Sequence, residues 1–241
     1  MKTAFITGAS KGIGFACAKR FIESGYSVII TARNEDKLKA AKQTLGKQCE
    51  YIVWDASDTK KASEVLEKAH AFFGDISIFV NNAGIVHDED SGASYVDFLY
   101  KTESAWDQTM AVNLKGVFFT CQAQAKYMIT HGIKGNIVNI CSEMGFRPAA
   151  NAYGISKWGI RAMTEGMATN LAKYGIVVNG VAPGETATEI LRQAENEVKE
   201  IESPRGVQAT PNEIADSVYF MATSRNIIGE ILVSDGGRRL K

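Results

Sequence analysis

The feature that most constrains the fold of this chain is the alternation of short apolar runs with longer segments of helical periodicity. Seven such runs predict strands, at residues 3–7, 27–31, 50–54, 76–80, 136–141, 176–182 and 230–234. Their near-continuous apolar character is typical of strands that are buried on both faces of a parallel sheet. Because helical segments separate these runs, we expect an α/β fold, a doubly wound parallel sheet of about seven strands with helices on both faces.

The length of 241 residues suits one large α/β domain, and no repeat, low-complexity tract or linker divides the chain. We therefore expect a single domain over residues 1–241. Two stretches interrupt the alternation, residues 85–105 and residues 184–207, and loops of this length inside a domain are usually functional. Within the second stretch, residues 194–201 have the pattern of an amphipathic helix.

Charge and hydropathy exclude several classes of partner. Lysine plus arginine and aspartate plus glutamate both number 27, so no net charge attracts nucleic acid or an anionic membrane. No apolar run is long enough to cross a membrane, and the N-terminus enters a predicted strand at once. We expect a cytoplasmic protein without a signal peptide, a membrane partner or a nucleic-acid partner.

The cysteines and histidines do not form the pattern of a metal site. The four cysteines lie far apart, without a Cys-x-x-Cys pair, and are expected to be reduced residues in apolar surroundings: Cys17, Cys49, Cys121 and Cys141. The three histidines, His70, His87 and His131, are isolated in the sequence. We therefore assign no metal ligands.

A glycine-rich turn, residues 7–14, joins the first predicted strand to the first predicted helix. Its glycines let the backbone approach a pyrophosphate, and the helix N-terminus supplies free N–H groups. This position is that of a Rossmann-type dinucleotide site, although a turn without a ligand is the alternative. The spacing Gly-x-x-x-Gly-x-Gly resembles the short-chain dehydrogenase/reductase family, and the resemblance covers essentially the whole chain. It implies cofactor contacts from Gly8, Ser10, Lys11, Gly12, Ile13 and Gly14.

The end of the second predicted strand indicates which dinucleotide is bound. An NAD enzyme typically has an acidic residue there to accept hydrogen bonds from the ribose hydroxyls, but this chain has Ala32 followed by Arg33. Arg33 and Lys11 are two cations without a carboxylate, which suits a 2′-phosphate. The alternative is that both are solvated surface charges. We expect NADP(H) rather than NAD(H).

Two further segments match cofactor-binding positions of the family. Asp55 follows the third predicted strand, where the resemblance implies a contact with the adenine amino group. The sequence Asn81-Asn82-Ala83-Gly84 after the fourth strand matches a turn that backs the cofactor ribose, with Asn82, Ala83 and Gly84 as contacts. Asn82 could equally act only as a strand-end cap.

The sequence Tyr153-Gly154-Ile155-Ser156-Lys157 carries the predicted chemistry. Residues four apart on a helix share a face, so the tyrosine hydroxyl and the lysine ammonium project together. A free tyrosine, with a pKa near 10, is a poor base, and an adjacent cation favours its phenolate form. The resemblance implies that Tyr153 exchanges a proton with the substrate oxygen and that Lys157 also binds the nicotinamide ribose. Alone, Tyr-x-x-x-Lys is usually a surface pair on a helix.

The resemblance implies roles for residues in three other segments. Ser142, after a predicted strand, would hydrogen-bond the substrate carbonyl, although an ordinary strand-terminal serine is the alternative. Asn113 matches an asparagine that distorts a helix and anchors a proton-relay water. The segment after the sixth strand would hold the nicotinamide carboxamide, through Pro183, Gly184, Thr186 and Thr188. Ser234-Asp235-Gly236-Gly237 resembles the closing strand and turn of the family.

The predicted function is hydride transfer between NADP(H) and a small-molecule ketone, aldehyde or alcohol. One alternative is a 3-oxoacyl-[acyl-carrier-protein] reductase, but residues 85–105 include an insertion and Thr169 stands where such reductases often carry a docking arginine. The other alternative is a catalytically silent nucleotide-binding regulator, and such proteins usually lack the tyrosine or the lysine. The loop from Ser142 to Tyr153 is shorter than in many members of the family, so the resemblance does not identify the substrate.

The resemblance also implies a homotetramer or a homodimer. Its interface would be built on two predicted helices, residues 106–126 and 152–173, and the tail after Gly237 would lie near another interface. Apolar residues on these helices fit burial of more than one side, namely Phe118, Phe119, Trp158 and Met163. The alternative is that all four serve the core of the monomer.

Overall fold

A computed structural model describes residues 2–86, 98–191, 193–194 and 197–240 and contains one sheet of seven parallel strands. The strands are β1 (Thr3–Thr7), β2 (Ser27–Ala32), β3 (Cys49–Val53), β4 (Ile76–Asn81), β5 (Gly135–Ile140), β6 (Ile176–Pro183) and β7 (Ile231–Ser234). Each end lies within one residue of its predicted position. The order is β3-β2-β1-β4-β5-β6-β7, which confirms the doubly wound Rossmann-type sheet.

Helices connect the strands. They are α1 (Gly12–Glu23), α2 (Glu35–Leu45), α3 (Ala62–Phe73), α4 (Glu103–Met110), α5 (Val117–Thr130), α6 (Ala152–Leu171) and α7 (Pro211–Thr223). A π-helical segment, Ala111–Gly116, joins α4 to α5, so the predicted helix at residues 106–126 is confirmed and is longer at both ends. The helix predicted at residues 152–173 corresponds to α6 and a following 3₁₀ turn, Ala172–Tyr174.

The core lies on both faces of the sheet because successive strand residues point to opposite faces. In β2, Val28 and Ile30 pack with buried residues of α1, α2 and α7. Ile29, between them, packs instead with buried residues of α3, α5 and α6. The apolar runs of the sequence therefore fill two separate cores, and the predicted placement of helices on both faces is confirmed.

The strand order fixes where a ligand can bind. β1 has β2 on one side and β4 on the other, so the connections leave the carboxyl ends of β1 and β4 toward opposite edges. In open α/β sheets the crevice at such a reversal of strand order is the usual ligand site. The glycine-rich turn follows β1, and the segment Asn82-Ala83-Gly84 follows β4, so both lie at this crevice.

The structure describes the two stretches that interrupt the alternation, residues 85–105 and 184–207, to different extents. Of the insertion at residues 85–105, residues 87–97, including His87, lie outside the described residues, and a 3₁₀ turn, Phe98–Tyr100, precedes α4. The prediction of an amphipathic helix at residues 194–201 is wrong for the described residues of this segment, which are not helical. Glu200 instead forms an isolated antiparallel bridge with Val207, and Ile201 N–H donates to the Gly206 carbonyl at 2.9 Å.

None of the described helices is both long enough and apolar enough to cross a membrane.

Candidate active site

A pocket of about 660 Å³ lies at the carboxyl ends of β4, β5 and β6 and reaches the start of α1. It brings together many of the predicted site residues, namely Ile13, Asn82, Gly84, Ser142, Tyr153, Lys157, Pro183, Gly184, Thr186 and Thr188. Other predicted residues do not line it, namely Gly8, Ser10, Lys11, Gly12, Gly14, Arg33, Asp55, Ala83 and Asn113. The pocket therefore unites the predicted catalytic side chains except Asn113, which lies behind its wall.

Ser142 lies just beyond the end of β5 and is buried. Its extended backbone makes it the N-cap of a 3₁₀ turn, Glu143–Phe146, and its Oγ accepts a hydrogen bond from Met144 N–H at 3.2 Å. A hydroxyl that accepts one hydrogen bond can still donate its own proton. Ser142 can therefore cap this turn and also donate to a substrate oxygen in the pocket.

Tyr153 and Lys157 lie in the first turns of α6. Asn151 caps this helix, because its Oδ1 accepts a hydrogen bond from Gly154 N–H at 2.7 Å. The Lys157 ammonium lies 5.6 Å from the centroid of the Tyr153 ring, so the predicted shared face is present. Its Nζ also donates to the Ile140 carbonyl at 3.0 Å.

The Lys157 ammonium is buried, and burial lowers its pKa below the ordinary value for lysine because it penalises the charged form. A buried cation acts through a low-dielectric environment, in which its effect on a neighbouring hydroxyl is larger than in water. The arrangement can therefore favour removal of a proton from a hydroxyl beside Lys157.

Asn113 lies inside the π-helical segment Ala111–Gly116, so the helix distortion expected at this residue is present. The side chain is fully buried and binds the backbone of Ile85 twice, with N–H···O distances of 2.8 Å in both directions. A Cβ at Gly84 would lie 3.5 Å from Asn113 Oδ1 and 3.8 Å from Lys157 Nζ. Asn113 thus holds the segment that follows β4 in place beside Lys157.

The glycine-rich turn is packed against the turn after β4. Gly8 has a φ of +65°, and a Cβ there would lie 2.8 Å from the Cα of Ala83. Asn82 Nδ2 donates to the carbonyls of Thr7 and Gly8, at 3.0 and 2.9 Å. These two hydrogen bonds hold the glycine-rich turn against Asn82. They agree with the alternative interpretation of Asn82 as a structural cap at the end of a strand.

We expect Gly14→Ala to destabilise the fold by about 1–3 kcal/mol, because forcing atoms into a packed site strains it. The added Cβ would lie 2.5 Å from Asn82 Nδ2 and 2.6 Å from the Gly8 carbonyl oxygen. The control is Gly166→Ala in α6, where a Cβ meets nothing within 4 Å. Alanine there should stabilise the helix by about 0.5–1 kcal/mol. Equal free energies of unfolding for the two variants in urea would contradict the packing.

A cluster of charged side chains lies at the glycine-rich turn and includes Lys11. Lys11 forms an ion pair with Glu189, and Lys37 Nζ lies 3.7 Å from the same carboxylate. The hydrogen bond from Lys11 lowers the pKa of Glu189, and all three side chains are exposed. Arg33 is exposed as well. The prediction that Lys11 and Arg33 lie without a carboxylate is wrong for Lys11, because the segment after β6 brings Glu189 against it. The sequence prediction also missed Lys37, which lies in the first turn of α2, four residues after Arg33.

Asp55 lies two residues beyond the end of β3. Its Oδ1 accepts hydrogen bonds from Ser57 N–H at 2.9 Å and from Ser57 Oγ at 2.7 Å. These bonds fix the orientation of the carboxylate and leave Oδ2 as an acceptor outside this pair.

The segment after β6 lines part of the pocket. Gly184 N–H donates to the Ser234 carbonyl at 3.0 Å, and a Cβ at Gly184 would lie 2.8 Å from the Cα of Asp235. The hydroxyls of Thr186 and Thr188 donate to the carbonyls of Gly184 and Thr186, at 3.1 and 3.3 Å. This compact turn needs the glycine because the closing turn after β7 approaches it so closely.

Sequence reasoning missed a group of charged residues on the pocket wall. Glu143 is buried and lies between two arginines, with Arg238 Nη1 at 2.5 Å and Arg147 Nη2 at 3.2 Å. Arg238 Nη1 also lies 2.7 Å from Glu185 Oε1. Burial raises the pKa of Glu143, and the two guanidinium groups oppose this rise.

Glu143 directly follows Ser142, so its position next to the predicted catalytic serine was a usable signal. Arg238 comes from the tail after β7, and no sequence pattern links it to a residue so distant in the chain.

The cysteines are all free and buried, as expected for core residues. Burial raises the pKa values of Cys49 and Cys121 to about 12, so their thiolate forms are suppressed at neutral pH.

Two of the histidines that are isolated in the sequence lie together in the structure. The rings of His70 and His131 stack with centroids 4.8 Å apart, and ligand atoms of both and of Asp75 lie within 4.8 Å of one another. Asp75 directly precedes β4, so this group lies at the amino edge of the sheet, opposite the pocket. It takes no part in the candidate active site.

Comparisons with known proteins agree with this geometry. The family model for the short chain dehydrogenase matches residues 2–199. The chain is 33% identical over 246 residues to the gluconate 5-dehydrogenase of Gluconobacter oxydans, with coverage of 97% of this chain and 93% of the relative. It is 36% identical over 247 residues to the 3-oxoacyl-[acyl-carrier-protein] reductase of Thermotoga maritima, with coverage of 98% and 97%.

A solved structure described as "ElxO with NADP Bound" superposes with a TM-score of 0.86 at 28% identity, and the match covers 100% of this chain and 99% of that chain. The family match extends over most of the chain, and the relatives align with nearly all of it. The chain therefore belongs to the short-chain dehydrogenase family of oxidoreductases.

Proposed function

We propose that this chain is an NADP(H)-dependent oxidoreductase that interconverts a ketone or aldehyde and an alcohol. The observation that carries the proposal is the meeting of Ser142, Tyr153 and Lys157 in one pocket at the reversal of strand order. A hydroxyl donor, an acid/base and a cation are the groups that carbonyl reduction needs around the reacting oxygen. The family to which the chain belongs supports the same reaction class.

The residues present fit a dinucleotide. The close contacts of Gly8 and Gly14 create a cradle that a Cβ would fill, and the cations Lys11 and Lys37 converge on one exposed carboxylate. A phosphate can replace that carboxylate, since exposed ion pairs contribute little to stability. The structural neighbour with NADP bound supports this choice. The full set assigned to the cofactor is Gly8, Ser10, Lys11, Gly12, Ile13, Gly14, Arg33, Asp55, Asn82, Ala83, Gly84, Tyr153, Lys157, Pro183, Gly184, Thr186 and Thr188.

The chain's own residues handle the proton and the substrate oxygen, while the reduced nicotinamide supplies a hydride to the carbonyl carbon. In reduction, the Tyr153 hydroxyl donates its proton to the carbonyl oxygen, and in oxidation its anion removes that proton. Lys157 favours this anion through its charge. Ser142 donates a hydrogen bond to the same oxygen, and we assign Asn113 to a proton relay behind Lys157.

Cofactor preference tests this proposal. We expect a higher kcat/KM with NADPH than with NADH, and we expect Ala32→Asp to reverse the preference, because the new carboxylate accepts ribose hydrogen bonds and repels the 2′-phosphate. Steady-state rates with both cofactors measure this effect. Ala40→Asp, on the exposed side of α2, is the control for the added charge. A preference of the unmodified chain for NADH would contradict the electrostatic argument.

A 3-oxoacyl-[acyl-carrier-protein] reductase is the second candidate, and the 36% identity to the Thermotoga maritima enzyme favours it. The insertion at residues 85–105 and Thr169, where a docking arginine is often found in such reductases, argue against it. A silent nucleotide-binding regulator is less consistent with a chain that keeps both Tyr153 and Lys157. Cofactor oxidation with an acyl thioester, compared with cofactor binding alone, separates these alternatives.

We further propose one domain over residues 1–241, a cytoplasmic location and a homotetramer or homodimer. Phe118, Phe119 and Trp158 expose 41%, 39% and 42% of their surfaces on α5 and α6, so none of them is a buried core residue. Met163 packs partly on that core. Large apolar side chains exposed together support an interface between copies of the chain.

We expect the chain to be oligomeric at micromolar concentration and the double change of Phe118 and Phe119 to serine to shift it toward the monomer, because the interface loses apolar area. Light scattering measures the mass, and Phe72→Ser on α3 is the control for an exposed phenylalanine elsewhere. A monomeric mass for the unmodified chain would overturn the proposed interface.

A further inference from the structure

The charged wall of the pocket, which consists of Glu143, Arg147, Glu185 and Arg238, has no role in the chemistry derived above. All four side chains line the pocket that contains Ser142 and Tyr153. Glu143 is 4% exposed; its Oε1 accepts a hydrogen bond from Arg238, and its Oε2 forms an ion pair with Arg147 without a hydrogen bond. The other three side chains keep between 28% and 31% of their surfaces exposed. The buried carboxylate therefore positions two arginines that remain accessible from the pocket.

Hydrogen-bonding capacity remains on this wall. The contacts that Arg238 makes through its guanidinium with the described residues use Nη1, and those of Arg147 use Nη2. Each guanidinium has five N–H donors, so several are left for a ligand. Glu185 offers acceptor oxygens, and its Oε2 is met only loosely by Gln208 Nε2, at 3.4 Å.

The charges on the wall balance, with two carboxylates and two guanidinium groups. A site for a simple anion needs an excess of cations, whereas a hydroxyl group both donates to a carboxylate and accepts from a guanidinium. Several hydroxyls in one molecule match such alternating acceptors and donors. A plain hydrocarbon chain would cover these charged groups without hydrogen-bonding them, which is unfavourable.

We infer that this wall recognises the hydroxyl groups of a polyhydroxylated substrate, such as a keto sugar, with Arg147, Glu185 and Arg238 as specificity residues and Glu143 as their positioning residue. This inference rests on the proposed function, because it concerns the substrate of the same reaction. Met144, Ile190 and Leu191 also line the pocket and can pack against the carbon skeleton of such a compound.

The test is a comparison of kcat/KM for the full chain with NADPH and four probes: fructose, 5-ketogluconate, hexan-2-one and an acetoacetyl thioester. We expect one of the two polyhydroxylated ketones to exceed hexan-2-one and the thioester by at least about 100-fold, since sites built to hydrogen-bond a hydroxyl strongly reject analogues that lack it. Faster reduction of hexan-2-one or of the thioester would overturn this inference and leave the proposed function intact. Reduction of none of a wider carbonyl panel, with either cofactor, would contradict both.

Variants separate recognition from structural support. Glu185→Gln and Arg238→Lys, which keeps a charge beside buried Glu143 but removes the guanidinium fork, should each lower kcat/KM for the preferred polyhydroxylated ketone by about tenfold or more, the loss expected for a hydrogen bond to a charged group. Their kcat/KM for hexan-2-one and their NADPH affinity should change little. Arg239→Lys is the matched control for the arginine, because Arg239 is adjacent in the chain but does not line the pocket. Equal losses for both kinds of ketone would mean that the wall is only structural and would overturn the inference.

Discussion

Replacing Tyr153 with phenylalanine is expected to lower kcat by 10²–10⁴-fold, the usual loss for a positioned acid/base. Phenylalanine keeps the ring of a residue in the first turn of α6 and removes only the hydroxyl. Without it, the substrate oxygen receives no proton as the hydride arrives, and the reverse reaction has no base. NADPH affinity, measured by fluorescence, should be retained within a few fold because the glycine-rich turn and Lys157 are unchanged.

The matched control is Tyr174→Phe. Tyr174 is an exposed tyrosine in the 3₁₀ turn after α6, far along the chain from the pocket residues. This variant should keep the kcat of the unmodified chain. If Tyr153→Phe retained more than about a tenth of that kcat, the assignment of Tyr153 as the essential acid would be wrong.

The second large effect is expected for Lys157→Met, which should reduce both kcat and cofactor affinity. The buried ammonium lies beside the Tyr153 ring and would also hold the nicotinamide ribose. Its loss removes the charge that favours the tyrosine anion, so the rise of the oxidation rate with pH should move to higher pH. Loss of a hydrogen bond from a charged group should weaken NADPH binding by roughly tenfold to 100-fold.

Methionine fills a similar volume in the buried site, and Lys173→Met, at an exposed position, is the control for the loss of a lysine. Residues that act as one unit fail together, so the double variant with Tyr153→Phe should have a kcat close to that of the worse single variant. Additive losses in kcat would indicate that the two side chains act independently and would contradict their coupling.

The fold was predictable because the local signals agreed with one another. Strands such as β1 and β2 are apolar along their whole length, and each helix between strands is amphipathic or ends at a glycine such as Gly25. The prediction of a helix at residues 194–201 failed for the described residues of this segment, because its periodicity had to compete with a turn closed by Gly206, whose φ of +84° suits glycine.

The candidate site was predictable where its residues are close in sequence or follow a strand. Tyr153 and Lys157 share one helix, and Ser142 and Gly184 lie at ends of strands that a parallel sheet brings to one edge. The π-helical segment at Asn113 followed from the family pattern and not from the helical periodicity.

Contacts between distant loops were not predictable. Glu189 meets Lys11 and Lys37, and Arg238 meets Glu143, only because the segments after β6 and β7 fold over the carboxyl edge of the sheet. No periodicity links these residues, since their contacts depend on loop geometry. The sequence also did not determine whether Phe118 and Phe119 are exposed, because an apolar residue on a helix can face a core or a partner.

The central claim is that this chain transfers a hydride to a carbonyl carbon while Tyr153 supplies the proton. The most direct measurement is single-turnover reduction of an accepted ketone with NADPH carrying deuterium at the transferring position of the nicotinamide. The account predicts an alcohol with deuterium on the former carbonyl carbon, formed by the unmodified chain and at least about 100-fold more slowly by Tyr153→Phe. An alcohol without that deuterium, or equal rates for the two proteins, would contradict it.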